Sequence, residues 1–269
     1  KYLNNNYKAL KIFGFDITTN INSEIVFKKI NVLNLVEVET QIKKIQPTYV
    51  FNFVSKFKGD SLEELIEINS EFSKNLSKIC NEVENFKKLI LIGSAAEYGL
   101  PVELPVSENS LLNPINEYGI SKKHQTNFFI NHSENCVLAR VFNILGPNMN
   151  ENLSIGSFVK QIKNNKKLIE VGNINSKRDF LVISDVVEAL WKICKQGKIG
   201  ELYNVCSGKS ISIKEILENL IMNQNSEMEI VIKKERLKID EIPDIYGTNY
   251  KLKNHTNWKN KPLNKEVYK

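Results

Sequence analysis

Residues 88–94 read Lys-Leu-Ile-Leu-Ile-Gly-Ser, a short apolar run closed by Gly93 and Ser94. A run of that length, bounded by a turn signal, reads as a strand buried on both faces. Residues 47–55 (PTYVFNFVS) carry no charge and read the same way. Between them, residues 61–83 place Leu62, Leu65, Ile68, Phe72, Leu76 and Ile79 at helical spacing. Strand, long helix and strand make a right-handed βαβ unit, whose strands run parallel.

The alternation continues on both sides. Residues 9–16 (ALKIFGFD) predict a strand ending in an acid, and 34–45 a helix. Residues 116–132 predict a helix and 135–142 (NCVLARVF) a strand. The expected fold class is α/β, a Rossmann-like doubly wound parallel sheet. After Gly146-Pro147 the pattern loosens. Helices are expected over 154–164, 184–194 and 213–222, the last N-capped by Ser212. Short strands are expected at 168–171, 178–183, 201–205 and 229–232, and the remainder reads as loop. This predicts a smaller α/β substrate-binding part at the C-terminal end. The expected division is 1–145 for a dinucleotide-binding domain, with 178–206 contributing to it. Residues 146–177 and 207–269 would form the substrate-binding domain.

Composition narrows the function. The chain has 269 residues, enough for one large or two small domains with a buried core. Its 42% apolar and 25% charged content is ordinary for a globular protein and argues against disorder. The net charge of +6 comes from scattered lysines without a basic block. That favours a soluble protein over a nucleic-acid binder, and it suits an anionic small substrate. No apolar run has the roughly 18–20 residues of a membrane span, and the opening KYLNNN is no signal peptide. Cys80, Cys136, Cys194 and Cys206 lie far apart, with no CxxC and only three histidines in the chain. Neither a disulfide framework nor a metal site is expected, and a reducing cytoplasm is.

An acid at a strand end, as at Asp16, is where a dinucleotide-binding sheet holds the adenosine ribose. The carboxylate accepts from the ribose hydroxyls and repels a 2′-phosphate. Such an acid lies about 20 residues after a glycine-rich phosphate loop. The chain contains no GxGxxG, so counting back places that loop before residue 1, with residues 1–7 as the tail of its helix. The alternative is that Asp16 is a turn residue and no dinucleotide binds.

Tyr118-Gly119-Ile120-Ser121-Lys122 puts a phenol and an ammonium four residues apart on one helical face. Beside a nicotinamide, the ammonium would lower the phenol's pKa, and the phenol could then exchange a proton with a sugar oxygen. Alone, such a pair is most often a solvated helix face. Ser94 changes that weighting. It stands where a buried strand meets a loop, placed to hydrogen-bond the reacting oxygen.

Serine at a strand end followed by YxxxK resembles the extended short-chain dehydrogenase/reductase family, which acts on nucleotide-activated sugars. Asn69 and Asn75, in INSEFSKN, match that family's long-helix asparagines. RVFNILGP (140–147) looks like its strand-end segment, where the Val141 backbone would lie near the nicotinamide and Asn143 would face the diphosphate. KRDF (177–180) and DVV (185–187) match a further segment, in which Arg178 would pair with a phosphate as a charged fork. The resemblance implies cofactor contacts at Asp16, Asn31, Val32, Phe53, Val54, Ser55, Asn69, Ile92, Tyr118, Lys122 and Val141. Asn31 stands where an acid commonly contacts adenine, with Val32 beside the ring. Segments 171–173, 178–180, 202–208, 236–243 and 256–259 resemble a narrower group, the bacterial GDP-6-deoxy-D-mannose reductases. In that group's pattern Lys238 replaces an arginine that contacts the nucleotide, and Glu241 would hydrogen-bond the ribose. Lysine lacks the bidentate fork.

Related 4,6-dehydratases carry an acid pair directly after the strand-end Ser/Thr, and here those positions are Ala95 and Ala96. Glu97 follows and should point elsewhere. The cysteine of related 3,5-epimerase/reductases is absent from this loop. What remains is redox at one sugar carbon. The resemblance implies reduction of a 4-keto-6-deoxy sugar nucleotide, GDP-linked, by hydride from a nicotinamide cofactor, with Ser94, Tyr118 and Lys122 catalytic. An NAD-dependent 4-epimerase is the alternative. A catalytically idle dinucleotide- or sugar-nucleotide-binding protein is a third reading, which the complete Ser94/Tyr118/Lys122 set argues against. Many such reductases carry arginine where Asp16 stands, so NAD is expected, with NADP possible. The expected partner is a nucleotide-diphosphate sugar, with no nucleic acid and no membrane. In relatives, the helices corresponding to 61–83 and 116–132 form a dimer seam, which implies a homodimer. Phe128, Phe129 and Ile130 would lie at that seam or in the core.

Overall fold

The computed structural model describes residues 2–7, 10–18, 25–132, 134–164, 167–224, 227–237 and 241–263. Helix α1 (Tyr2–Asn6) precedes two parallel strands, β1 (Phe13–Asp16) and β2 (Val26–Lys29). Helix α2 (Leu35–Ile45), capped by the Asn34 side chain, leads to β3 (Tyr49–Asn52). The next helical stretch has three parts: α3 (Leu62–Ile66), a π-helical turn (Glu67–Glu71) and α4 (Phe72–Asn81). Strand β4 (Lys88–Ser94) runs into a 3-10 turn (Ala95–Glu97). Then come α5 (Glu117–Asn131), β5 (Cys136–Val141), β6 (Asn143–Leu145), α6 (Ser154–Lys163), β7 (Leu168–Val171) and β8 (Lys177–Val182). The chain continues through α7 (Ile183–Gln196), β9 (Leu202–Val205), β10 (Ser210–Ser212), α8 (Ile213–Asn223), β11 (Glu229–Ile232), β12 (Asp244–Ile245) and α9 (Tyr250–Thr256).

Strands β3, β4, β5 and β9 form one parallel sheet in that order. Its two faces bury alternate residues, as strand geometry requires. Leu89, Leu91 and Leu138 pack against Val38 and Ile42 of α2 and against Phe72 and Leu76 of α4. Ile90, Val137 and Ala139 pack on the other side, against Ala189, Leu190 and Trp191 of α7. Helices on both faces make the fold Rossmann-like. Full burial of a side chain such as Leu89 or Ile90 contributes about 2 kcal/mol. One detail differs from the expectation of a single sheet. The β1–β2 pair is a separate parallel piece, not hydrogen-bonded to β3.

The C-terminal part has its own apolar cluster, which includes Ile155, Phe158, Ile169, Phe180, Ile216 and Leu217. Strand β8 pairs in parallel with β6 and β12 and antiparallel with β10. Its Asp179 is buried and accepts the backbone N–H groups of Ser207 (2.7 Å), Gly208 (3.0 Å) and Gly247 (3.4 Å).

Lys88 opens β4 with a buried ammonium. Its Nζ donates to the carbonyls of Cys194 (2.8 Å), Gly197 (2.6 Å) and Ile193 (3.4 Å), at the C-terminal end of α7. The Ile193 carbonyl also accepts the Gly197 N–H at 2.8 Å, whereas those of Cys194 and Gly197 stand past the last helical donors, and a cation there also opposes the helix dipole. On α5, Phe129 belongs to the core whereas Ile130 is 64% exposed. The four cysteines are buried and free of disulfides. Among the described residues, no helix is long and apolar enough to cross a membrane.

Candidate active site

Parallel pairing puts the C-terminal ends of β3, β4 and β5 along one edge of the sheet, the edge where open α/β sheets bind ligands. Ser94 ends β4 there and caps the following 3-10 turn. Its Oγ accepts the Ala96 N–H (3.2 Å), while the Glu97 side chain returns to the Ser94 N–H (2.8 Å). Together these close a capping box. Helix α5 starts against this turn. Asn116 Oδ1 accepts the Gly119 N–H at 2.8 Å. Gly119 permits the approach, because a Cβ there would lie 2.5 Å from the Ala96 carbonyl oxygen.

The approach brings Tyr118 beside Ser94. The hydroxyls of Ser94 and Ser55 lie near the Tyr118 phenol, and the Phe57 ring lies against it, centroids 5.0 Å apart. Burial holds the phenol above its ordinary pKa, the Ser94 and Ser55 hydroxyls pull the other way, and the Glu97 charge adds to the rise. One turn along α5, Lys122 is 2% exposed. Its Nζ donates to the Ile92 carbonyl at 2.9 Å and lies 3.5 Å from Gln125 Oε1. Burial depresses this ammonium to about 8, opposed by Glu97. The expectation that Lys122 keeps the phenol acidic is therefore corrected. Taking a phenolate out of water dominates, and the hydroxyls, not the ammonium, oppose it.

Beneath these groups runs a buried polar floor. Gln125 Nε2 and Asn52 Nδ2 both donate to Ser73 Oγ (2.7 and 2.9 Å). Asn69, in the π-helical turn, donates to Ser121 Oγ (2.8 Å) and to the Lys56 carbonyl (2.9 Å), and it accepts the Lys56 N–H (2.7 Å). Ser121 Oγ in turn donates to the Tyr118 carbonyl at 2.8 Å. The turn thus braces the helix that carries Tyr118, in keeping with the tendency of π-bulges to sit at functional sites.

Other residues expected to meet a cofactor are distributed as follows. Ser55 joins Asn69 (3.2 Å) next to the phenol. Ile92 supplies the carbonyl that holds Lys122, and Val141 is buried at the end of β5. Val54 N–H donates to Asn52 Oδ1 (3.1 Å), and the Phe53 ring stacks on Phe51 in an exposed position. Asp16 closes β1, exposed, with Oδ1 accepting the Thr18 N–H and hydroxyl, each at 2.9 Å. Those bonds hold its carboxyl below the ordinary value. Asn31 Oδ1 accepts the Leu33 N–H (3.1 Å), and Val32 packs on the core below.

Among the residues expected to meet the sugar nucleotide, Asn143 Nδ2 donates to the Asp179 carbonyl at 3.1 Å. Arg178 Nη1 donates to the carbonyls of Lys177 and Ile242, both at 2.7 Å, and its Nη2 lies 3.7 Å from Glu241 Oε1. Glu241 also accepts from Ser176 Oγ (3.1 Å). Arg178 and Glu241 are thus brought together as a pair. Lys238 lies outside the described residues.

Sequence reasoning passed over Arg140 and Thr126 and gave Glu97 no role beyond pointing elsewhere. It does point elsewhere: buried, it pairs with buried Arg140 (Nη2 at 2.9 Å) and accepts from Thr126 Oγ1 at 2.5 Å. A buried Arg in an otherwise apolar strand, CVLARV, was the available signal, since such a charge requires a partner.

Fold and site together define a class, the nicotinamide-dependent short-chain dehydrogenase/reductases that handle nucleotide sugars. A family model described as GDP-mannose 4,6 dehydratase matches residues 3–269, and the chain belongs to that family. It is 33% identical over 181 residues to GDP-6-deoxy-D-mannose reductase from Pseudomonas aeruginosa, a match covering 63% of this chain and 60% of the relative. It is 24% identical over 259 residues to GDP-6-deoxy-D-talose 4-dehydrogenase from Aggregatibacter actinomycetemcomitans, covering 94% of this chain and 85% of that one. The solved structure of RMD from Pseudomonas aeruginosa complexed with NADPH superimposes with a TM-score of 0.82 at 22% identity, covering 96% of each chain. Other solved structures of this fold hold NAD. The family comprises NAD(P)-dependent dehydratases, reductases and epimerases of nucleotide sugars.

Proposed function

We propose that the chain serves a nucleotide-sugar oxidoreductase that reduces a 4-keto-6-deoxy sugar nucleotide, GDP-linked, with a nicotinamide cofactor. The observation that carries this is the juxtaposition of Ser94 and Tyr118 beside a buried Lys122, at the carboxyl edge of a parallel sheet. The donor set fits a nicotinamide dinucleotide. Asp16 offers a carboxylate to ribose hydroxyls, and Tyr118, Lys122 and Ser55 cluster where the second ribose and the ring would lie. Bound there, a nicotinamide supplies the hydride that reduces the sugar carbonyl.

The residues of the chain do the rest. Tyr118 Oη passes its proton to the carbonyl oxygen as that oxygen becomes an alkoxide, while Ser94 Oγ holds the same oxygen in place. A phenol is protonated at neutral pH, which suits donation and hence reduction. Lys122 orients the ribose, and the Ser94 and Ser55 hydroxyls favour the phenolate left behind. Ala95 and Ala96 offer no acid or base for eliminating water, which disfavours a dehydratase. The two curated relatives described above, both named for GDP-6-deoxy sugars, support the substrate class. Residues 146–177 and 207–269 would receive the nucleotide, with Arg178 exchanging Glu241 for a phosphate.

Asp16 favours a second reading. A carboxylate that prefers NAD to NADP also suits a 4-epimerase, which oxidises and re-reduces C4 without net turnover of cofactor. Incubation of the protein with a GDP-4-keto-6-deoxy sugar and reduced cofactor separates the two. Stoichiometric loss of NADH or NADPH is expected for the reductase; no net loss there, together with C4 inversion of a 4-hydroxy GDP-sugar supplied with NAD, would replace that reading by the epimerase. Tyr118→Phe should lower kcat by about three orders of magnitude and leave cofactor affinity unchanged. Wild-type turnover in that variant would sink the mechanism.

A further inference from the structure

We propose that Glu97 is a positioning residue for this site: its carboxylate, braced by Arg140 and Thr126, holds the Ser94 backbone and so fixes the hydroxyl that faces the Tyr118 phenol. The inference rests on the roles given to Ser94 and Tyr118 above.

Both carboxylate oxygens are committed. Oε1 accepts the Ser94 N–H at 2.8 Å. Oε2 accepts Arg140 Nε (3.1 Å), Arg140 Nη2 (2.9 Å) and Thr126 Oγ1 (2.5 Å). Glu97 is 0% and Arg140 1% exposed. A turn of three residues needs no such device, because a capping box works with an exposed glutamate. Burying an ion pair costs several kcal/mol of desolvation that apolar side chains would avoid. The room is provided by small neighbours, since a Cβ on Gly93 would lie 2.7 Å from Glu97 Oε1.

The elements packed around the carboxylate are those of the site. Strand β5 brings Arg140, and α5 brings Thr126, Lys122 and Tyr118. The adjoining Tyr98 hydroxyl accepts from Arg140 Nη1 at 2.8 Å and donates to Asn204 Oδ1 at 2.7 Å. The Glu97 charge acts on both reactive groups, raising the proton affinity of Tyr118 and of Lys122.

Glu97→Gln is the test, with two readouts. The first needs no substrate. The phenol titration of Tyr118 is read as the ultraviolet difference between each protein and the same protein carrying Tyr118→Phe, and its midpoint should fall when the charge is removed. The second is turnover of the nucleotide sugar, where kcat should fall about tenfold with both KM values unchanged. A folded Glu97→Gln protein with an unmoved midpoint and wild-type kcat overturns the proposal. Should Glu97→Gln fail to fold, Thr126→Val keeps the ion pair and removes one brace. A kcat lowered about threefold then supports the role, and an unchanged kcat overturns it. A midpoint that shifts in a wild-type background inactive on every nucleotide sugar rejects the proposed reaction and leaves the positioning role standing.

Discussion

At Asp16 a single carboxylate is proposed to choose between two cofactors. It stands in solvent at the end of β1, and the Thr18 bonds hold its carboxyl below the ordinary value. A 2′-phosphate brought to the ribose would meet that charge. Asp16→Asn should therefore raise NADPH affinity relative to NADH about tenfold, equivalent to about 1.4 kcal/mol, as read by fluorescence titration with each nucleotide. An unchanged ratio would show that the ribose lies elsewhere. Residues such as Asp16, Ser94, Tyr118 and Lys122 were legible in the sequence because each is marked by local spacing: a strand end, or four positions along a helix. Glu97, Arg140 and Thr126 were not, since their meeting depends on three elements far apart in the chain. The sign of the phenol shift was also out of reach. It follows from burial, which no spacing reveals.

Among the elements, the helices with one apolar face were readable almost to the residue. Helix α2, and α8 with its Ser212 cap, follow from periodicity and capping chemistry. Strand β4 was read to both ends. Strands β2, β6, β10 and β12 were not marked, because two to four residues are too few to show a period. The π-helical turn at Glu67–Glu71 was hidden inside an apolar stripe that looks continuous. Helix α9 (YKLKNHT) read as loop because Leu252 and Thr256 are its buried residues and the rest is polar. Lys88 shows how one element can finish another, since the start of β4 supplies donors to the end of α7. Lys88→Met would leave those carbonyls buried without a partner. The expected loss is about 2 kcal/mol of unfolding free energy by urea titration at neutral pH. Equal stability would mean that water takes the place of the ammonium.

For the molecule as a whole, the buried thiols and phenols predict its behaviour in alkali. Burial pushes Cys80 and Cys194 up to about 12, and Tyr98 likewise to about 12. Cys136, Cys206, Tyr118 and Tyr203 move in the same direction. In the unfolded chain these groups ionise from 9.0 for cysteine and 10.0 for tyrosine. Their contribution to stability is complete below pH 9 and is lost as pH climbs toward 12. Lys122, depressed from 10.5 to about 8, and Lys88, also depressed, work the other way, adding stability as pH rises to 10.5. The thiols and phenols outnumber them, so urea midpoints should fall steadily from pH 9 to 12. A level profile would contradict the burial of these groups.

Asp179 has a mechanical consequence at this scale. Strand β8, the turn at Ser207–Gly208 and the stretch at Gly247 are riveted to one side chain. Sliding any of them past the others must break its bond to that rivet. The three segments therefore travel as one plate under thermal agitation, and whatever slack the C-terminal part possesses has to be sought at its margins.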